Sequence, residues 1–187
     1  MRIISGELGG RTIRTAEGTG YRPATAKVRG AIFSMLEARG IVWENVRSLD
    51  LFAGSGSLGF ETLSRGAQET WLVEKAANAA ACLRRTANDF GLAEDRCKIL
   101  EQDVAHFLRG VAFTPFDVIF IDPPYGTGRL LPTIKAVQRG GWLAPEGFLL
   151  AEVETSLRLD PQRDVPGLTI ETDRTYGQTR ILLWHFL

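Results

Sequence analysis

Apolar positions from residue 46 onward alternate between short continuous runs and a spacing of three and four. The first pattern predicts buried strands and the second predicts helices. The predicted strands are 46–52, 70–73, 97–100 and 118–121. The predicted helices between them are 58–63, 76–90 and 104–108, the first two closed by Gly66 and Gly91. This alternation predicts an α/β fold whose parallel sheet is wound on both faces.

The last third of the chain departs from the alternation. A predicted helix at 131–137 is followed by strands at 148–153, 169–172 and 181–186, with no helix-length segment between the last two. We expect those two strands to form an antiparallel hairpin with Tyr176-Gly177-Gln178 at its turn.

Residues before 46 follow another pattern. Two short alternating runs flank Gly9-Gly10 and predict a β-hairpin. Thr25 then stands as an N-cap for a helix through Leu36 that ends near Gly40. We therefore expect a small hairpin and helix extension at 1–45 and one main domain at 46–187.

Composition limits the class of protein. The chain has 187 residues and 44% hydrophobic content, enough to bury one substantial core. It has no apolar run of about eighteen residues and no basic segment followed by an apolar one, so we expect no membrane span or signal peptide and a cytoplasmic location. The cysteines and histidines lack metal-ligand spacing, so we expect neither a metal site nor a disulfide from Cys82, Cys97, His106 and His185.

Positive charge is concentrated at the start of a chain whose net charge is zero. Residues 1–30 carry six basic side chains against Glu7 and Glu17, namely Arg2, Arg11, Arg14, Arg22, Lys27 and Arg29. Such a segment favours contact with nucleic acid phosphates, although a solvated charged face gives the same pattern. All of these basic residues except Arg14 are our candidates for RNA contact.

A glycine loop follows the first predicted strand. Gly54, Gly56 and Gly59 match G-x-G-x-x-G, and Glu74 follows Gly54 by twenty residues, where it can bind ribose hydroxyls. Further carboxylates end successive strands, at Asp50, Asp103 and Asp122. A row of carboxylates suits the cationic S-adenosylmethionine better than the pyrophosphate of NAD. Asp103 is equally well placed to cap the helix that follows it.

The sequence Asp122-Pro123-Pro124-Tyr125 ends the predicted strand 118–121, because two prolines cannot continue a ladder. It is consistent with a simple turn, but it also groups a carboxylate, a rigid carbonyl and an aromatic ring. Asp122 and the Pro123 carbonyl can accept the two hydrogens of an exocyclic amine while Tyr125 stacks on the base.

These motifs resemble those of class I methyltransferases that act on exocyclic amines. With M-R-I-I-S-G at 1–6, R-P-A-T-A-K-V-R-G-A-I-F at 22–33 and Y-G-Q-T-R at 176–180, the chain is similar to the RsmD-type 16S ribosomal RNA guanine-N2 methyltransferases over nearly its whole length. The resemblance implies a Rossmann-like, seven-stranded, mostly parallel sheet with a reversed last strand. It also implies 16S RNA as the substrate, and we expect a monomer that acts on an assembled or assembling 30S subunit.

Site residues carry over from this resemblance by position. Those in the cofactor motifs are Asp50, Phe52, Gly54, Gly56, Glu74 and Asp103. Asp122, Pro123 and Tyr125 fall in the motif for the target amine. The chain departs from the family pattern at Ala26, where an acidic residue is expected.

Three other functions fit parts of the sequence. Adenine N6 in DNA or RNA suits D-P-P-Y as well as guanine N2 does. The glycine loop alone fits an NAD-dependent oxidoreductase, but this leaves D-P-P-Y without a role. A non-enzymatic RNA-binding or assembly factor could also keep a methyltransferase fold.

Overall fold

The structure is a computed structural model that describes residues 1–16 and 25–186. Its strands are β1 (Arg47–Leu51), β2 (Glu69–Glu74), β3 (Cys97–Glu101), β4 (Phe116–Ile121), β5 (Leu143–Glu154), β6 (Thr169–Tyr176) and β7 (Thr179–His185). Its α-helices are α1 (Ala26–Glu37), α2 (Ser57–Ser64), α3 (Ala77–Phe90), α4 (Val104–Phe107) and α5 (Leu130–Arg139). A short 3₁₀ helix covers Trp43–Asn45.

The strands form one sheet in the order β3-β2-β1-β4-β5-β7-β6. Neighbours from β3 to β5 pair parallel, whereas β7 runs antiparallel to both β5 and β6. The chain passes outward from β1 to β3 and then returns to β4 on the other side of β1. This switch point is where open α/β sheets bind ligands. The predicted seven-stranded, mostly parallel sheet with a reversed last strand is confirmed.

Strand register aligns the ends of the central strands at this switch point. Ile121 of β4 lies level with Leu51 of β1 and with Ala151 of β5. The residues that follow Ile121 and Ala151 are Asp122 and Glu152. Because the two strands are parallel and in register, these carboxylates are neighbours at one edge of the sheet.

Helices bury both faces of the sheet. Ile119 and Phe120 are consecutive in β4 and so point to opposite faces. Ile134 of α5 belongs to the core cluster of Ile119. On the other face, Phe33 of α1 packs on Phe120, with ring centroids 6.1 Å apart. Burial of each such side chain stabilises the fold by about 1.5–3 kcal/mol.

The termini of the helices follow their local sequence. The Thr25 hydroxyl accepts a hydrogen bond from Val28 N at 3.3 Å, so the predicted N-cap of α1 is confirmed. Gly91 ends α3 with φ 71°, a left-handed conformation that glycine adopts without a Cβ clash. The last strands are longer than predicted. β6 continues to Tyr176 because it is an edge strand, where polar residues can face water and weaken the apolar pattern.

The N-terminal segment contains the predicted β-hairpin in an irregular form. Its two runs pair antiparallel at a bridge between Arg2 and Thr12, and Ile3 N donates to Arg11 O at 3.0 Å, although no regular strand forms in residues 1–16. The turn packs against α2. Ile4 N and Ser5 N donate to the Glu61 carboxylate at 2.7 and 3.0 Å. The side chain of Glu61 therefore satisfies the two backbone donors next to the hairpin turn, while Gly10 N and Ile13 N donate across the two runs to Ile3 O and Met1 O. The division at residue 46 stays a prediction.

Within the described ranges, no helix is long and apolar enough to cross a membrane. The same residues include no cluster of three His, Cys, Asp or Glu side chains arranged to hold a metal ion. Cys82 and Cys97 are both free thiols.

Candidate functional site

A cavity of about 680 Å³ opens at the carboxyl ends of β1, β2 and β4. Its volume lies within the range of about 300–1,000 Å³ that is usual for small-molecule sites. Six residues predicted from the sequence line it, namely Phe52, Glu74, Asp103, Asp122, Pro123 and Tyr125. We call residues 50–57, 74 and 103 the donor half of the site, and residues 122–125 and 152 the amine half.

The loop after β1 has an unusual backbone. Phe52 adopts φ 65°, and Gly54 and Gly56 follow with φ 56° and 73°. A left-handed conformation costs a non-glycine residue about 1–3 kcal/mol, and such strain is concentrated at binding sites. Here it turns the chain sharply, so that Phe52, Ser55 and Ser57 all line the cavity.

Asp50 and Gly59 hold the start of α2 against the sheet. Gly59 N donates to the Asp50 carboxylate at 3.0 Å. A Cβ on Gly59 would lie 2.3 Å from Leu72 Cδ2, so any larger residue here would force the buried Leu72 side chain to shift. Burial raises the pKa of Asp50 to about 7. Asp50 is not among the residues that line the cavity, so a direct contact with the ammonium group of a ligand stays a prediction.

Glu74 connects the ends of β1 and β2. One of its carboxylate oxygens accepts from Gly54 N at 2.9 Å and the other from Ala76 N at 2.7 Å. The side chain also lines the cavity, and a carboxylate oxygen can accept more than one hydrogen bond. Its contact with ribose hydroxyls stays a prediction.

Asp103 has the first of the two roles that its sequence position allowed, which is the capping of a helix. It caps α4 by accepting from Ala105 N at 2.8 Å, which confirms the capping role. Arg129 pairs with its other oxygen at 3.1 Å, and this bond lowers the pKa of the Asp103 carboxyl. Asp103 also lines the cavity, so the predicted cofactor contact is sterically open but stays a prediction.

The amine half lies at the end of β4. Asp122 is partly buried and lines the cavity, and no group in residues 1–16 or 25–186 donates a hydrogen bond to its carboxylate. Burial raises the pKa of Asp122 well above its usual value, and the nearby carboxylates of Glu152 and Asp50 raise it further. Tyr125 is 45% exposed, and its hydroxyl lies 3.4 Å from Thr179 Oγ1. The amine half thus presents the Asp122 carboxylate, to which no described residue donates a hydrogen bond, beside the partly exposed ring of Tyr125.

Sequence reasoning missed several residues at the site. The cavity is also lined by Lys75, Arg129 and Gln178. Gln178 was placed only at a hairpin turn, and the register of β7 on β5 is what brings that turn to the cavity. Glu152 is 2% exposed and neighbours Asp122. The sequence did indicate Glu152, because this residue places a carboxylate within the apolar run Phe148–Val153.

The predicted RNA-binding residues differ in their surroundings. Arg2, Arg11 and Lys27 are exposed, and Arg11 also donates to the Phe90 carbonyl and lies over its ring at 4.7 Å. Arg29 is only 2% exposed, so its prediction as a surface contact is wrong. The α1 face that packs on the sheet carries it inward, and it donates to Arg2 O at 2.7 Å. The predicted contact at Arg22 lies outside the described residues.

The sheet order, the reversed β7 and the glycine loop at the switch point define a class I methyltransferase fold. The chain belongs to the family described as Conserved hypothetical protein 95, whose model matches residues 1–185. This is the RsmD-type family that the motifs indicated, so that recognition is confirmed.

Relatives and solved structures agree with this membership. The chain is 33% identical to YlbH of Bacillus subtilis (strain 168), provisionally named an rRNA methyltransferase, over 98% of both chains. It is 34% identical to ribosomal RNA small subunit methyltransferase D of Escherichia coli (strain K12) over 154 residues, which are 82% of this chain and 75% of that one. The Escherichia coli structure yhhF, provisionally named a methyltransferase, matches with TM-score 0.84 and 29% identity over 100% of this chain and 97% of that chain.

Proposed function

We propose that this protein transfers a methyl group from S-adenosylmethionine to the exocyclic N2 amine of a guanine in 16S ribosomal RNA. The observation that carries the proposal is that one cavity joins the glycine loop to Asp122-Pro123-Pro124-Tyr125. A methyl donor and an acceptor amine can therefore meet in one space. The rRNA methyltransferase names of the relatives support the substrate class.

The donor half suits S-adenosylmethionine by its chemistry. Phe52, Val73 and Val104 supply apolar walls for the adenosine, and Glu74 and Asp103 supply acceptors for its hydroxyls and amine. The ligand is cationic, and the carboxylates of this half would stabilise it. The bound donor supplies an electrophilic methyl group on a sulfonium.

The amine half would hold the guanine. The base leaves its stack at a cost of a few kcal/mol, and stacking on Tyr125 returns about 1–3 kcal/mol. Asp122 and the Pro123 carbonyl accept the two N2 hydrogens and aim the nitrogen at the methyl group. Because guanine N2 is a weak nucleophile, orientation and the negative charge of Asp122 provide most of the rate enhancement.

Adenine N6 remains the alternative target, because the four residues 122–125 hold either amine equally well. Guanine is favoured by the N-terminal and Y-G-Q-T-R motifs of the family and by relatives named for small-subunit rRNA. Neither the oxidoreductase nor the non-enzymatic alternative explains why an amine-binding motif lines the same cavity as the glycine loop.

We place the reaction on the assembled or assembling 30S subunit, catalysed by a monomer in the cytoplasm. Arg11 and Arg14 contact α3 residues, and Arg29 is buried, so the N-terminal segment offers fewer free cations than its sequence predicted. Few phosphate contacts give weak binding to naked RNA at physiological salt. Ribosomal proteins would supply the remaining surface.

A labelled-methyl assay tests the proposal. Transfer to 16S RNA, to 30S particles and to DNA is compared, and the modified base is then mapped. We expect label on a guanine N2 in 30S particles, with Asp122→Ala inactive and the exposed Asp95→Ala equal to wild type. Label only in DNA, or on adenine, would overturn the substrate assignment.

A further inference from the structure

Glu152 is a buried carboxylate that the proposed reaction has so far left without a part. It lies on β5, one residue beyond the register pair Ile121 and Ala151, and so stands next to Asp122. Its Oε2 atom is fully buried and has no hydrogen-bond partner in the part of the chain that the structure describes. A charged oxygen in this state costs several kcal/mol, so a fold does not keep it for packing.

The surroundings of Glu152 connect it to the amine half. Thr179 acts on the Glu152 carboxyl by lowering its pKa, and the Thr179 hydroxyl lies 3.4 Å from the hydroxyl of Tyr125. Glu152 therefore adjoins the predicted acceptor for the amine and, through Thr179, the predicted stacking ring. It does not line the cavity, so it acts on the substrate only through these neighbours.

We propose that Glu152 is a positioning residue for methyl transfer, whose negative charge prepares Asp122 to accept a proton from the target amine. The proposal rests on the proposed function. The amine must lose a proton as it is methylated, and an aspartate with ordinary proton affinity is a poor base at neutral pH. A second carboxylate beside it, out of water, strengthens it as a base.

The step balances without a further reactant. The N2 lone pair forms the bond to the methyl carbon, and the electrons of the broken carbon–sulfur bond stay on sulfur. One N2–H bond breaks, its electrons remain on nitrogen, and the proton goes to Asp122. The products are the neutral thioether, the methylated amine and a protonated Asp122, which returns its proton to water after the base leaves.

Other charged groups act on the pair from the neighbouring elements. Asp50 of β1 adds negative charge near Asp122, and Arg29 of α1 adds positive charge near Glu152. Arg29 is shared with Glu61 of α2, which faces it from the other side. Burial dominates over these charges and raises the pKa of Glu152 to about 7. Glu152 therefore changes protonation in the range where enzymes are assayed.

The test compares Glu152→Gln with wild type in single-turnover methylation of 30S particles between pH 5.5 and 9. In the pH–rate profile of Glu152→Gln, we expect the plateau rate to fall about tenfold. The acid limb should move about one pH unit lower, because Asp122 loses its charged neighbour. Glu152→Asp keeps the charge and should keep the limb. Glu146→Gln, on the same strand with its side chain 75% exposed, is the matched control and should behave as wild type.

A second measurement does not need activity. Carbon-13 NMR of labelled aspartate follows the titration of Asp122 directly, with Asp122→Asn identifying the signal and circular dichroism checking that each variant is folded. The Asp122 midpoint should be lower in Glu152→Gln than in wild type. An unchanged midpoint, or a slower reaction with an unchanged acid limb, would overturn the proposal. Wild-type protein that methylates no RNA would refute the proposed function instead, and the NMR comparison would still decide the role of Glu152.

Discussion

In the donor half of the cavity, Asp50, Glu74 and Asp103 each accept a hydrogen bond from a backbone N–H. In the amine half, within residues 1–16 and 25–186, no group donates a hydrogen bond to Asp122, and a buried oxygen of Glu152 has no partner. The same residue types thus serve two purposes within one site. The first set holds loops in place before any ligand arrives, and the second keeps its acceptors available for an incoming amine.

This contrast shows how a site can be rigid and reactive at once. A backbone N–H that donates to a carboxylate favours its charged form and shapes a binding surface, although burial outweighs this effect at Asp50 and raises its pKa to about 7. A carboxylate kept out of water without donors has raised proton affinity and a strong tendency to accept a hydrogen bond. We expect mutations in the donor half to affect ligand binding and stability, and mutations in the amine half to affect turnover.

The largest effect is expected for Asp122→Ala. The variant loses the acceptor for the amine, so turnover should fall at least about a hundredfold, while affinity for S-adenosylmethionine changes little. Methylation kinetics with calorimetry of donor binding separates the two quantities. If affinity for S-adenosylmethionine fell by the same factor as turnover, the two halves of the site would not have separate roles.

Glu74→Ala should show the opposite profile. It leaves Gly54 N and Ala76 N without their acceptor, and each unmade bond costs about 1–3 kcal/mol. Donor affinity should fall about ten- to a hundredfold, with a smaller change in the rate at saturating donor. Calorimetry of the folded variant measures this, and unchanged affinity would show that the loop holds its shape without Glu74.

Gly59→Ala tests the rigidity of the donor half. Its Cβ would lie 2.3 Å from Leu72 Cδ2, so we expect a loss of about 1–3 kcal/mol in the free energy of unfolding, measured in denaturant. Gly30→Ala in α1 is the matched control, because its Cβ meets no atom within 4 Å. The control should be neutral or stabilising by up to about 1 kcal/mol. Equal effects of the two changes would contradict close packing at Gly59.

The smallest effect concerns pH. Burial raises the pKa of Asp50 and of Glu152 to about 7, above their values of about 4 in the unfolded chain. Between these values the folded protein binds protons that the unfolded chain does not, so stability should rise as pH falls from 8 towards 5. The melting temperature should increase by a few degrees, and Glu152→Gln should reduce the increase. A melting temperature that falls as the pH is lowered from 8 towards 5 would contradict the raised pKa values of Asp50 and Glu152.

Much of the architecture could be predicted from local sequence. The period of apolar residues placed the strands and helices, Thr25 and Gly91 marked helix ends, and the glycines and prolines fixed the loops. The N-terminal hairpin was predicted, but its irregular form was not. Glu61, which is distant in sequence, takes the backbone donors of Ile4 and Ser5 beside the turn.

The residues of the candidate site were also predicted only in part from the sequence. Residues at strand ends were identified because parallel strands bring their carboxyl ends to one edge, which is a consequence of topology that the sequence pattern already contains. The inward position of Arg29 and the second carboxylate at Glu152 were not identified. Both depend on which face of α1 packs on the sheet and on the pairing of β5 with β4.

The sequence by itself determined the order of elements, the positions of the glycine loop and of Asp122-Pro123-Pro124-Tyr125, and the family, because these depend on local chemistry and short spacings. Only the tertiary structure decided which carboxylates are satisfied and which are not. Hydrogen-bond partners and exclusion of water come from segments far apart in the chain, so the same residue type becomes a support at Glu74 and an open acceptor at Asp122.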